Sequence, residues 1–221
     1  MFRLIPHGEL QVRNLTASDK SAIIKLASRL PVGDDARRAI LASLTKSASI
    51  EFNIPGKHIL DRAQVRDDAK VYGNARVSGN AVVAGSAKVS GNAQVEGKAK
   101  VFGKARIGGD AQVRDRAIVL GDARVSGDAI VSNNVQVSDN AQVEGKAHVS
   151  SDAYVYDRAE IFGDARVGGK AQVGGKAQVS GHARIGGHAR IGGTAVILGG
   201  TWDGSEGEIL KGRWKAPGVP A

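Results

Sequence analysis

The chain has no cysteine, which removes disulfides, thiolate nucleophiles and cysteine-based metal sites together. Aromatic residues make up only 4% of its 221 residues. That is poor material for a compact globular core, but a solenoid packs ladders of small side chains instead. No run of 18 apolar residues occurs, so no segment reads as a membrane span. The opening MFRLIPHGEL also lacks the apolar core of a secretory signal. The expectation is a soluble intracellular protein, or one released without a signal peptide.

What the chain does have is 30 glycines and a six-residue phrase, Ala-x-Val-x-Gly-x, written 23 times from Ala63 to Gly200 without insertion or deletion. A period of six is neither a helical stripe nor an ordinary strand, so the repeat decides the architecture. The third position is Val or Ile in all 23 copies, and the first is Ala in every copy except at Val135. Residues two apart on a strand share a face, so these two slots point inward together. β-Branched residues suit a pleated surface packed on one side. The fifth position is Gly in 17 copies, the exceptions being Asp67, Asp115, Asn133, Asp139, Ser151 and Asp157. Gly, Asn and Asp enter left-handed backbone at low cost, so this slot reads as a tight turn, with Ser151 the one strained member. Stacked coils would pair these short strands at ~4.8 Å and enclose a narrow interior, which an Ala→Leu change would overpack by roughly 1–3 kcal/mol.

Read from the Val, the phrase V-x-G-N-A-x resembles the hexapeptide repeat of left-handed parallel β-helices. The resemblance covers residues 63–200, and the imperfect copy Lys57–Arg62 brings the total to 24 phrases. It implies three phrases per triangular coil, about 8 coils, and a prism ~38 Å long. Handedness is implied by the family alone, since right-handed crossovers are the general rule. The expected fold is an all-β solenoid, a left-handed parallel β-helix over residues 57–200. A short helical element at 1–56 precedes it, and an irregular cap at 201–221 follows.

In the N-terminal element, Ser18 is placed to cap a helix through Leu30 with Ile23, Ile24, Leu26, Ala27 and Leu30 on its apolar face. Pro31-Val32-Gly33 interrupts, and Asp34 or Asp35 opens a second helix carrying Ile40, Leu41 and Leu44. Ile50–Ile54 alternates like a strand leading into the first coil. Helices this short need a partner surface. The tail holds both tryptophans, Trp202 and Trp214. Covering the open end of the solenoid is their expected role, with a sugar or base platform as the alternative.

Three phrases per coil stack every eighteenth residue and sort the outward positions onto three walls. The first wall carries Val82, Ala84, Phe102, Ile118, Leu120, Tyr154 and Tyr156 beside Lys100. Outward slots should be polar, so this cluster reads as a contact surface for a homo-oligomer, a protein partner or the N-terminal helices. The bland reading is scattered surface apolar residues. The second wall carries a ladder of Lys70, Lys88, Arg106 and Arg124, giving way to Gln142 and Glu160. On a chain of net charge +9 the ladder is a candidate polyanion or nucleic-acid stripe. Its simpler and preferred reading is a solvated guard against edge pairing. No aromatic series interleaves with the cations, although Tyr72 and Phe162 lie on that side. The third wall is mixed: Arg76, Gln94, Gln112, Ile130, His148, Arg166 and Arg184.

The hexapeptide family is rich in trimeric acyltransferases, whose chemistry needs a general base, usually His, in a cleft between subunits. The five histidines here are His7, His58, His148, His182 and His188, and none sits beside an insertion. His182 and His188 fall at neighbouring corners, which argues against the zinc arrangement of γ-type carbonic anhydrases of this fold. The G-x-x-x-G strings belong to coil turns with no helix behind them, so they are not phosphate loops. Threonine is nearly absent from the array, which argues against an ice-binding face. The idiom also resembles uncharacterised A-x-V-x-G-N repeat proteins of bacteria and phages. The expected function is a non-catalytic structural or protein-interaction rod, cytoplasmic or virion-associated and without membrane contact. It is expected to be homo-oligomeric, a trimer, and to need no cofactor or metal. The alternatives are an acyltransferase using acetyl-CoA and a polyanion binder.

Overall fold

A computed structural model describes residues 58–217 and 219–221. The expected N-terminal element, with its two helices and the Ile50–Ile54 strand, lies outside the described residues. Within them the chain is a parallel β-solenoid without helix. Strands β1 (Gln64–Val65), β2 (Lys70–Val71) and β3 (Arg76–Val77) open its first, second and third walls. Every third strand thereafter joins the same wall, except that the last strand of the chain joins the second, giving sheets of nine, ten and eight strands.

Each strand is short because the hexapeptide allows only two paired residues before the next corner. Ile118 lies between Lys100 and Gln136 in adjacent coils, an offset of eighteen residues either way. Backbone bonds of 2.9 Å join Lys88 N–H to Ala105 O and Ser90 N–H to Ile107 O. The inward Ala and Val or Ile slots are sealed from Ala75 to Ile197. Ala63, Val65, Ala69 and Val71, in the first coil, are partly buried.

Every non-glycine residue expected at a turn has positive φ, from Asp67 at 58° to Ser151 at 63°. The aspartates are compensated by a bond that glycine cannot make. Asp67 Oδ2 accepts from Gly85 N–H at 2.9 Å and Asp157 Oδ2 from Gly175 N–H at 3.0 Å, each one coil further on. At the glycine turns, a Cβ would press on the next coil's backbone, as at Gly175, where it would lie 2.7 Å from Gly193 N.

The C-terminal tail covers the last coil by extending all three walls, with its irregularity in the register. The phrase Ala195–Gly200 looks complete, yet its positive-φ turn falls at Gly200 and not at Gly199. The next strand, β24 (Thr201–Trp202), therefore pairs with Arg184–Ile185 at a spacing of 17 residues. β25 (Glu208–Ile209) then returns to a spacing of 18 on the first wall. β26 (Arg213–Ala216) falls to 17 again on the second wall. Trp202, Ile209 and Trp214 align with Ile185, Ile191 and Ile197, so large side chains fill the last inward slots. Trp202 is only 2% exposed, with its Nε1–H bonded to Gly199 O at 2.8 Å. Trp214 meets it edge-on at 6.3 Å. Finally β27 (Val219–Pro220) folds back antiparallel on β26, leaving an edge strand that ends near a proline.

The turn geometry predicts opposite outcomes for two substitutions measured by chemical denaturation. Gly175→Ala, at φ 64° with that close contact, should lose about 1–3 kcal/mol. Asp157→Gly relieves a positive φ but loses the bond to Gly175, so it should stay within about 1 kcal/mol of wild type.

Candidate functional site

Two outward surfaces stand apart from ordinary solvated strand. On the second wall the cations stack in strict register, Lys70 against Lys88, Lys88 against Arg106 and Arg106 against Arg124. The column then passes to Gln142 and Glu160, where Gln178 donates to Glu160 at 3.0 Å. Two residues along each strand runs a parallel column of small residues, Ser90, Gly108 and Ser126. Together with Lys88, Arg106, Arg124 and Tyr72 they line a shallow depression of about 280 Å³. Lys70 belongs to the ladder but not to the depression. The floor residues carry no individual signal in the sequence, and only the eighteen-residue stacking finds them once the cation column is chosen. At the adjoining corner Asn74 donates to Asn92 at 3.0 Å and Asn92 to Asp110 at 2.7 Å. One long side of the depression is therefore cationic, and the corner beyond its other side carries amides and carboxylates.

The first wall brings together the apolar residues expected there. Val82, Lys100 and Ile118 share one column, and the backbone ladder puts Ala84, Phe102 and Leu120 in the other. Gln136 and Ser138 then intervene, followed by Tyr154 and Tyr156. The apolar surface is thus two patches separated by one polar coil. The tyrosine rings stack at 4.8 Å and 19°. The ring of Tyr156 lies over Gly174, where a Cβ would collide with it at 2.3 Å. Val82, Phe102, Ile118, Leu120 and both tyrosines are half-buried, each partly covered by its neighbours. The large apolar side chains most open to solvent are others, among them Ile59 at 44% and Leu210 at 50%, the latter at the C-terminal end of this wall.

The histidines are dispersed, apart from His7, which lies outside the described residues. His58 Nδ1–H donates to Ala75 O, 2.8 Å away. His182 lies 3.7 Å from Asp164 at one exposed corner, and His188 follows at the next corner. His148 stands on the third wall between Ile130 and Arg166. Burial, and then the charges of Arg114 and Arg166, hold it below its ordinary pKa of 6.5. It is therefore a neutral imidazole near pH 7, with cations rather than a carboxylate as its electrostatic neighbours. Among the described residues no group of three or more His, Asp or Glu is gathered to hold a metal ion, and no helix is long and apolar enough to cross a membrane.

Residues 69–85 and 123–138 match a family described as the YdcK beta solenoid repeat. Both segments lie in the hexapeptide array, so the match and the coordinates agree on a β-solenoid repeat. No curated protein and no solved structure matches the chain.

The setting of His148 predicts a pH dependence. Its folded pKa is depressed, so as pH falls through its ordinary value the unfolded chain takes up this proton first. Stability should fall with it, until pH passes below the folded pKa. In thermal unfolding from pH 7.5 to 5, His148→Gln should lose less of its melting temperature than wild type. Equal losses would show that His148 does not contribute.

Proposed function

We propose that this chain is a non-catalytic interaction rod that assembles with copies of itself, as a trimer, through the first wall. The observation that carries the reading is the alignment of Val82, Phe102, Ile118 and Leu120 in adjacent coils of one wall. Outward β-solenoid positions have no structural need for large apolar side chains, as Gln94 and Gln112 at equivalent slots of the third wall illustrate. A contiguous apolar patch on a rigid surface favours a contact that removes it from water.

A second copy suits this patch because of its periodicity. The column repeats at the strand spacing of ~4.8 Å, and an identical wall repeats at the same interval. Two copies can then match side chains over several coils, whereas an unrelated partner would have to present that spacing by coincidence. Three prisms can turn this wall towards a common axis and leave the charged walls in solvent. Trimeric assembly also agrees with the hexapeptide resemblance of the sequence. The acyltransferase alternative finds no comparable support, since the half-buried His148 lies on another wall beside arginines.

Native mass measurement of wild type and Phe102→Glu tests the reading. Wild type should have the mass of three chains, and the variant should dissociate because a carboxylate buried in an apolar contact is costly. A monomeric wild type, or a variant with unchanged mass and unchanged melting temperature, would refute the contact.

A further inference from the structure

We infer that the depression on the second wall binds an anionic polysaccharide, a linear sugar chain bearing carboxylate or sulfate groups. This goes beyond self-association and uses a different wall. Three features converge on it. Lys88, Arg106 and Arg124 stand in consecutive coils in strict register, so the site offers one cation per ~4.8 Å along a straight line. A 1,4-linked pyranose chain advances by a similar distance per sugar ring; its rings turn about the chain axis, so anionic groups on one side recur at multiples of that distance and can meet cations of the ladder without bending the chain. Between the cations and the corner, Ser90, Gly108 and Ser126 keep the floor low over three coils, and Tyr72, 42% exposed, stands at one end.

The cations themselves are poised for a ligand. Lys88, Arg106 and Arg124 have no carboxylate within ion-pair distance among the described residues, and neighbouring cations in register repel one another. An anion laid along the ladder relieves that repulsion. The fold does not require positive charge here, because the same slot holds Gln142 one coil beyond Arg124 and Glu160 two coils beyond it.

The far side of the depression chooses between classes of polyanion. The corner beyond the floor carries the Asn74–Asn92–Asp110 side-chain ladder, with Asp128 in the following coil. Amides and carboxylates there suit sugar hydroxyls, which donate and accept hydrogen bonds. A DNA strand offers no comparable row of hydroxyls to such a corner. Single-stranded nucleic acid also favours a series of aromatic platforms, and the depression holds only Tyr72.

The test is titration calorimetry on the full chain with four probes: a sulfated heparin tetrasaccharide, an oligogalacturonate tetramer, an uncharged cello-oligosaccharide and a single-stranded oligodeoxynucleotide. Binding of one or both charged sugars, with weaker binding of the other two probes, supports the inference. Whichever charged sugar binds tighter identifies sulfate or carboxylate as the recognised group. In Lys88→Gln/Arg106→Gln/Arg124→Gln the affinity should fall roughly tenfold or more, and the log–log salt slope by about two to three. Arg166→Gln/Arg184→Gln, aligned on the third wall, should leave binding unchanged. Both variants alter outward side chains, so circular dichroism and melting temperature should stay close to wild type. Equal weakening by the two variants would show a bulk-charge effect and overturn the site. Tighter binding of the oligodeoxynucleotide, or no binding of either charged sugar, would overturn it as well.

Discussion

Coil-to-coil hydrogen bonding at about 4.8 Å continues only if every corner turns at the same place in each coil. The fifth slot of the hexapeptide meets that demand with a residue at positive φ, and most copies use glycine because the next coil passes almost within contact of any Cβ there. Once the corners are in phase, the remaining slots have little freedom. Ala and Val or Ile face a narrow, closed lumen. The alternate positions face solvent, and residues eighteen apart become neighbours. The walls, their charge and their apolar patches all inherit this phase. Where the phase first slips, at Gly200, the spacing between coils drops to 17, and in the tail it alternates between 17 and 18.

The sequence makes the walls legible because no insertion disturbs that phase between 63 and 195. Phe102 and Leu120 do stand in adjacent coils of one wall, and Lys88, Arg106 and Arg124 do stack on another. The turn role of Asp67, Asn133 and Ser151 follows from the same count. The slip at the end is hidden because Gly199 and Gly200 are identical, and either satisfies the pattern. The half-burial of Tyr154 and Tyr156 is hidden for another reason. It depends on ring stacking and on the absence of a side chain at Gly174, one coil away. The floor of the second-wall depression is equally silent, since Ser and Gly at an exposed slot look like ordinary solvated residues until the cations beside them are aligned.

The corner aspartates show how a polar residue can replace glycine without breaking the solenoid. A left-handed turn at Asp costs backbone energy, but its carboxylate accepts the N–H of the turn residue one coil on. That N–H lies outside the strand ladder, so the bond adds to the fold and does not compete with it. Asp67, Asp115, Asp139 and Asp157 all fall on the two corners flanking the first wall, whereas the corner beside the depression keeps glycine at the same slot. Side-chain bonds there run instead through the sixth slot, along Asn74, Asn92 and Asp110.

Such a fold separates stability from surface chemistry more completely than a compact globule does. In a globule most side chains touch the core, so changing a surface usually disturbs packing. Here the interior is nearly uniform from coil to coil, and each outward position touches mainly its two stacked neighbours. Four like charges in register are tolerable because solvent screens them, and an apolar column is tolerable because its members partly cover one another. A residue at an outward slot is consequently not explained by the solenoid itself. The apolar columns of one wall and the cation ladder of the next are therefore the surfaces on which the proposed contacts rest. The self-association assigned to the first wall leaves the second open, because walls meeting at a prism corner face different directions. The two proposed contacts can then act at once, the first between copies and the second along one cation ladder per copy, so that an assembly offers several ladders to ligands long enough to reach more than one. Presented in this way, modest affinities at each ladder would combine by raising the effective concentration of the remaining sites.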